Sequence, residues 1–99
     1  MSVDGTYEIN INSPMGNLTG LLTLKEESGS LSGKIESKLG KGEFSGGKVD
    51  GNRAVYDVQL NSPMGKVTLS CNAVVDEKGI NGEVKAGNFG TFPFSGQKV

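Results

Sequence analysis

A five-residue stretch occurs twice in this chain, and it limits what the chain can fold into. Asn12-Ser13-Pro14-Met15-Gly16 returns unchanged as Asn61-Ser62-Pro63-Met64-Gly65, forty-nine residues on. The likeness spreads outward from it. Tyr7-Glu8-Ile9-Asn10-Ile11 matches Tyr56-Asp57-Val58-Gln59-Leu60 in character, and Leu31-x-Gly33-x-Ile35 matches Ile80-x-Gly82-x-Val84. Phe44-Ser45-Gly46-x-Lys48-Val49 matches Phe94-Ser95-Gly96-x-Lys98-Val99 at a spacing of fifty, so one residue has been gained between them. Self-similarity at a fixed period means two units with the same local structure. The expected organisation is one domain over 1–99, with internal repeats at 1–50 and 51–99.

The period within each unit is two. Tyr7, Ile9 and Ile11 alternate with Glu8, Asn10 and Asn12, the pattern of a half-buried strand. Ser13-Pro14-Met15-Gly16 then reads as a turn: Ser suits its first position, Pro pre-sets φ at the second, and Gly suits the fourth. Leu18, Gly20, Leu22 and Leu24 share a face of a second strand. Glu26-Glu27-Ser28-Gly29 turns the chain into a third strand that carries Leu31, Gly33 and Ile35. Leu39-Gly40-Lys41-Gly42 ends that strand, and a fourth runs through Phe44 to Val49. Asp50-Gly51 is a hairpin signal. The second half repeats the plan, with Ala54, Tyr56, Val58 and Leu60 on one face, then Val67, Leu69, Cys71 and Ala73, then Ile80, Gly82, Val84 and Ala86, and finally Phe92 and Phe94. Pro93 lacks a ladder donor and is expected at a bulge or strand start. No stretch shows helical spacing. Gly makes up 16 of 99 residues, about twice its usual share, which fits many tight turns. Short connections make consecutive strands antiparallel neighbours, and eight such strands can close on themselves. The expected fold is all-β, an eight-stranded antiparallel up-and-down barrel; a two-sheet β-sandwich is the alternative.

Composition removes several function classes. Net charge is −1, without the basic excess of a nucleic-acid binder. The chain has no His, hence no His general base, His metal ligand or Ser-His and Cys-His pair. Cys71 stands alone on an apolar face, where a thiol is usually an inert small hydrophobe. Asp50-Gly51-Asn52 lacks the downstream ligands of a calcium loop. No metal, cofactor or catalytic residue is implied, and no enzyme is expected. No apolar run is long enough to span a bilayer. Met1-Ser2-Val3-Asp4-Gly5 lacks the basic and apolar regions of a signal peptide, and a single Cys suits a reducing compartment, so a cytoplasmic location is expected. In that location the sequon Asn17-Leu18-Thr19 reads as a strand start.

Alternating strand direction sorts the loops by end. One end receives Met15, Leu39, Met64 and Phe89, with Lys38, Lys41, Lys66 and Lys85 nearby. The other receives Glu26, Glu27, Asp50, Asp76, Glu77 and both termini. The apolar end either rims the mouth of a cavity or folds inward as a plug. Met adapts to varied partners, and rim lysines favour an anionic head group. Glycines of inward parity (Gly20, Gly33, Gly46, Gly82 and Gly96) leave room for facing aromatics or for a ligand. Tyr7 and Tyr56 are either core residues or polar contacts within a pocket.

The paired Ser-Pro-Met-Gly turns and the ending Phe89-Gly-Thr-Phe-Pro-Phe-Ser-Gly96 resemble a little-characterised group of small all-β bacterial domains, a likeness that covers nearly the whole chain and implies no activity. Asp4-Gly5-Thr6-Tyr7 before an eight-stranded meander looks like the opening of calycin barrels, of the lipocalin and avidin type. Lipocalins have Gly-x-Trp where this chain has Gly5-Thr6-Tyr7, and the chain has no Trp.

Two functions are expected, and a third stands only as a minor alternative. The first is a non-catalytic barrel that binds an apolar or amphipathic, anionic small molecule at its Met-rich end, through Met15, Leu39, Met64, Phe89, Tyr7, Tyr56, Lys41 and Lys66. The second is a protein-interaction or self-association module with a packed barrel, in which Leu21, Val55 and Val74 point outward. The third is an enzyme using Tyr or carboxylates. Partners are accordingly a hydrophobic small molecule, a second copy or another protein.

Overall fold

A computed structural model of the chain describes residues 3–13, 16–37, 40–62, 65–87 and 90–99. Eight strands run in order: β1 (Gly5–Ser13), β2 (Gly16–Glu27), β3 (Ser30–Ser37), β4 (Gly40–Asp50), β5 (Arg53–Ser62), β6 (Gly65–Val75), β7 (Gly79–Ala86) and β8 (Thr91–Lys98). Each pairs antiparallel with its neighbour in sequence, and β8 pairs with β1, from Tyr7↔Lys98 to Ile11↔Phe94. The barrel is therefore closed, which sets the sandwich alternative aside.

Period-two patterning produces the inside and outside. On β6, Leu69, Cys71, Ala73 and Val75 are buried, while Lys66, Thr68, Ser70, Asn72 and Val74 are exposed. On β5, Ala54, Tyr56, Val58 and Leu60 point inward. The β2–β3 and β4–β5 hairpins are two-residue loops whose backbones match the strand twist, while three residues join β6 to β7. Ser28 and Gly29 both have positive φ (51° and 80°), the type I′ pattern. At β4–β5 the loop residues are Gly51 and Asn52, one position later than the Asp-Gly signal suggests, because Asp50 pairs with Arg53. Asp76 caps its own turn, accepting from the N–H groups of Lys78 (2.8 Å) and Gly79 (2.9 Å). Pro93 is the third residue of β8. It faces Glu83 on β7 and lies beyond the last β1–β8 pair, so on the β1 side its missing donor breaks no rung.

Among the described residues the pairing register shifts on β4. The shift is by one residue, with β3 between Phe44 and Gly47 and with β5 between Lys41 and Lys48, and Ser45 and Gly46 are both exposed. This is a β-bulge with Gly46 at φ 76°. It corrects one expectation: Gly46 faces outward, and Gly47 takes the inward place. The bulge also turns Val49 inward and Lys48 outward, where unbroken alternation would aim the Lys into the lumen.

Inward glycines serve close approach of chain to chain. A Cβ at Gly33 would lie 2.1 Å from the Thr23 carbonyl oxygen and 2.9 Å from the Phe44 ring. Backbone carbonyls crowd Gly20, Gly42, Gly82 and Gly96 in the same way. These positions let strands bend tightly around a narrow barrel. Gly33→Ala is expected to destabilise the fold by about 1–3 kcal/mol through overpacking. Ser28→Gly, which relieves a left-handed residue, is expected to stabilise it by up to about 1 kcal/mol. Urea denaturation of the two variants checks both signs.

Candidate functional site

The two ends of the barrel differ in how they are closed. At the end that holds the β2–β3, β4–β5 and β6–β7 turns, the segment before β1 seals the lumen. Val3 is 1% exposed. The Tyr7 hydroxyl donates to the Val3 carbonyl at 2.7 Å, and the Asp4 carboxylate accepts from the Glu26 N–H. Val75 N–H to Asn52 O (2.8 Å) ties the β6–β7 turn to the β4–β5 turn, and Val99 N–H to Thr6 O (2.9 Å) fastens the chain's end to β1. Leu24, Leu31, Ile80, Ala54 and Ala73 pack beneath this seal. Val3 is not legible in sequence as a core residue, because it precedes the first alternating stretch and has no periodicity to mark it.

The opposite end is where β1, β3, β5 and β7 finish. Its described apolar residues Ile11, Val67, Ala86 and Phe92 are only partly buried, packed against the core from above. Lys41, Lys66 and Lys85 are exposed there. Lys41 and Lys66 both stand opposite Asn61, one on each side, so they flank it on the outer face. Met15, Leu39, Met64, Phe89 and Lys38 lie outside the described residues.

The two tyrosines, matched in sequence, have different surroundings. Tyr7 is fully buried beneath the sealed end, with its hydroxyl engaged by backbone. Burial and the nearby Asp4 carboxylate both raise its pKa. Tyr56 is stacked on Phe44, with ring centres 4.3 Å apart and planes 9° off parallel. Its hydroxyl neighbours the Cys71 thiol, and burial, then Cys71, hold its pKa well above the usual phenol value. The space left by inward glycines is occupied: Phe44 lies over Gly33, while Tyr56 and Leu31 crowd Gly47. Apart from these two phenols and the Cys71 thiol, no polar or charged side chain is buried among the described residues.

Outward apolar residues are split. Leu21 (44% exposed), Val55 (44%) and Val74 (37%) all face solvent. Val55 and Val74 are diagonal neighbours on β5 and β6, since Val55 pairs with Asn72 and Arg53 with Val74. Leu21 is three strands from β5, so the three do not form one patch. Two open depressions lie elsewhere, on the outer face of β7, β8 and β1. In sequence that face shows only as the polar side of three strands.

No known protein family and no curated protein sequence matches the chain. Among solved structures it is similar to a redesigned beta barrel, with a TM-score of 0.82 over 98% of this chain and 91% of that one, at 11% identity. At that identity the likeness shows the fold alone: a small, closed, eight-stranded antiparallel barrel. No helix among the described residues is long and apolar enough to cross a membrane.

The buried thiol and phenols make stability depend on alkaline pH. Burial chiefly lifts Cys71 from 9 to about 11. Above pH 9 the unfolded chain releases a proton that the folded barrel retains, so folding loses stability as pH rises through that window. Urea midpoints are expected to fall between about pH 9 and 11, and less steeply in Cys71→Ala. A flat profile would contradict the burial of these groups.

Proposed function

We propose that the chain is a non-catalytic, packed barrel that works as a protein-interaction module through the end where β1, β3, β5 and β7 finish. One contrast carries this reading. The lumen is filled by the chain's own Phe44, Tyr56, Leu22, Leu24 and Val58, whereas that end carries half-buried Ile11, Val67, Ala86 and Phe92. A full lumen leaves binding to the outside of the barrel. Exposed Lys41, Lys66 and Lys85 around an apolar surface fit a partner that offers an apolar side chain beside carboxylates.

The same half-buried residues support a second reading, in which an amphipathic, anionic small molecule sits at the Met-rich end in the manner of calycin barrels. Native mass spectrometry of protein from its own source separates the two. A complex with a second protein, lost in the exposed-site variant Lys41→Glu/Lys66→Glu, is the expected result. A small added mass, released on denaturation and absent from Met64→Glu, would replace the first reading by the second. A dimer unaffected by the charge reversal would instead assign the interaction to Val55 and Val74.

A further inference from the structure

The outer face of β8 is a trough between β1 and β7, of about 450 Å³, and it continues into a second depression of about 260 Å³. Its form comes from residue size and register. Ser95 stands opposite Asn10 on β1 and opposite Asn81 on β7, so a short hydroxyl side chain separates two carboxamides across three strands. At strand spacing the two Asn backbones are about 9.5 Å apart. The next row toward the sealed end is Glu8, Gln97 and Gly79, with Lys78 beside it. The floor is low because Ser95 and Gly96 are small. Among the described residues, no side-chain hydrogen bond engages Asn10, Ser95, Asn81 or Gln97.

We propose that this trough binds a neutral, polyhydroxylated ligand, a short saccharide, through the carboxamides of Asn10 and Asn81 and the Ser95 hydroxyl. Three features of the trough select that class. First, the backbone of β8 pairs with both neighbours from Phe94 to Gln97, so no peptide can add as a strand and recognition falls to side chains. Second, each carboxamide offers donors and an acceptor, which matches a pair of hydroxyl groups, themselves donors and acceptors. Third, the central row is uncharged, and the charged side chains of the lining, Glu8 and Lys78, are of opposite sign, so neither a cationic nor an anionic ligand is selected by them. The volume lies within the range of about 300–1,000 Å³ typical of small-molecule sites. The lining of the larger depression has no aromatic side chain for a sugar ring to stack on, so affinity rests on hydrogen bonds and is weak.

The test is a nuclear magnetic resonance titration of the full chain with maltotriose, cellotriose and chitotriose, with gluconate as the charged comparison. The expected result is saturable shifts centred on Asn10, Asn81 and Ser95 for a neutral saccharide. Asn10→Ala/Asn81→Ala, at exposed positions and with a native spectrum, is expected to weaken that binding at least about ten-fold. No saturable shift with the three saccharides, an unchanged affinity in the double variant, or tighter binding of gluconate would each overturn the proposal. The trough is on the barrel's flank, so these outcomes are independent of binding at the end.

Discussion

Closure of β8 onto β1 is the constraint on which the remaining structure depends. The ladder from Tyr7↔Lys98 to Ile11↔Phe94 removes the two edges that a linear meander would expose. It also fixes the circumference. An eight-stranded barrel encloses a lumen just wide enough for side chains, so every inward position must fit its neighbours across the barrel. Inward glycines are the result: at Gly33 and Gly82 there is no room for even a methyl group between adjacent strands. The space they do not fill goes to large residues, and Phe44 stacked on Tyr56 is the clearest case.

The two halves of the chain meet that constraint differently. Phe-Ser-Gly-x-Lys-Val begins in both β4 and β8. In β4 it bulges at Ser45 and Gly46, which turns Val49 inward and Lys48 out. In β8 the register with β7 runs unbroken, and Gly96 packs under the Glu8 carbonyl instead. The cause lies in the destination of each copy. β4 must continue through a two-residue loop into β5 with an apolar side chain inside, whereas β8 ends at the sealed rim, where exposed Lys98 reaches along Gly5. The residue gained in the second half falls in the β7–β8 connection: Ala86 and Gly90 bracket three residues there, while Ser37 and Gly40 bracket two.

The candidate sites were legible to different degrees. Loop sorting comes from strand parity alone, and it separates the acidic turns from the lysines Lys41, Lys66 and Lys85 without coordinates. The sealing of the acidic end by Val3 could not be read, because the segment is held in place by the Glu26 N–H, which arrives at Asp4 from a different strand. Nor could the flank trough. Asn10, Asn81 and Ser95 are ordinary outward residues in sequence, and their grouping exists only through the β1–β8 and β7–β8 registers. Leu21, Val55 and Val74 show the converse: outward parity was correct for each, yet the barrel places Leu21 too far round to join the others.

By itself the sequence determined the number of strands, their faces, their order and the duplicated plan. All of these come from period-two burial and from turn residues whose backbone preferences act locally. Only the tertiary structure decided the bulge at Gly46, the divergent surroundings of Tyr7 and Tyr56, and the grouping of side chains on the outer face. Each of these depends on which strands become neighbours and in what register. That is settled when the ring closes and all eight ladders must fit at once, a condition no local stretch of residues records.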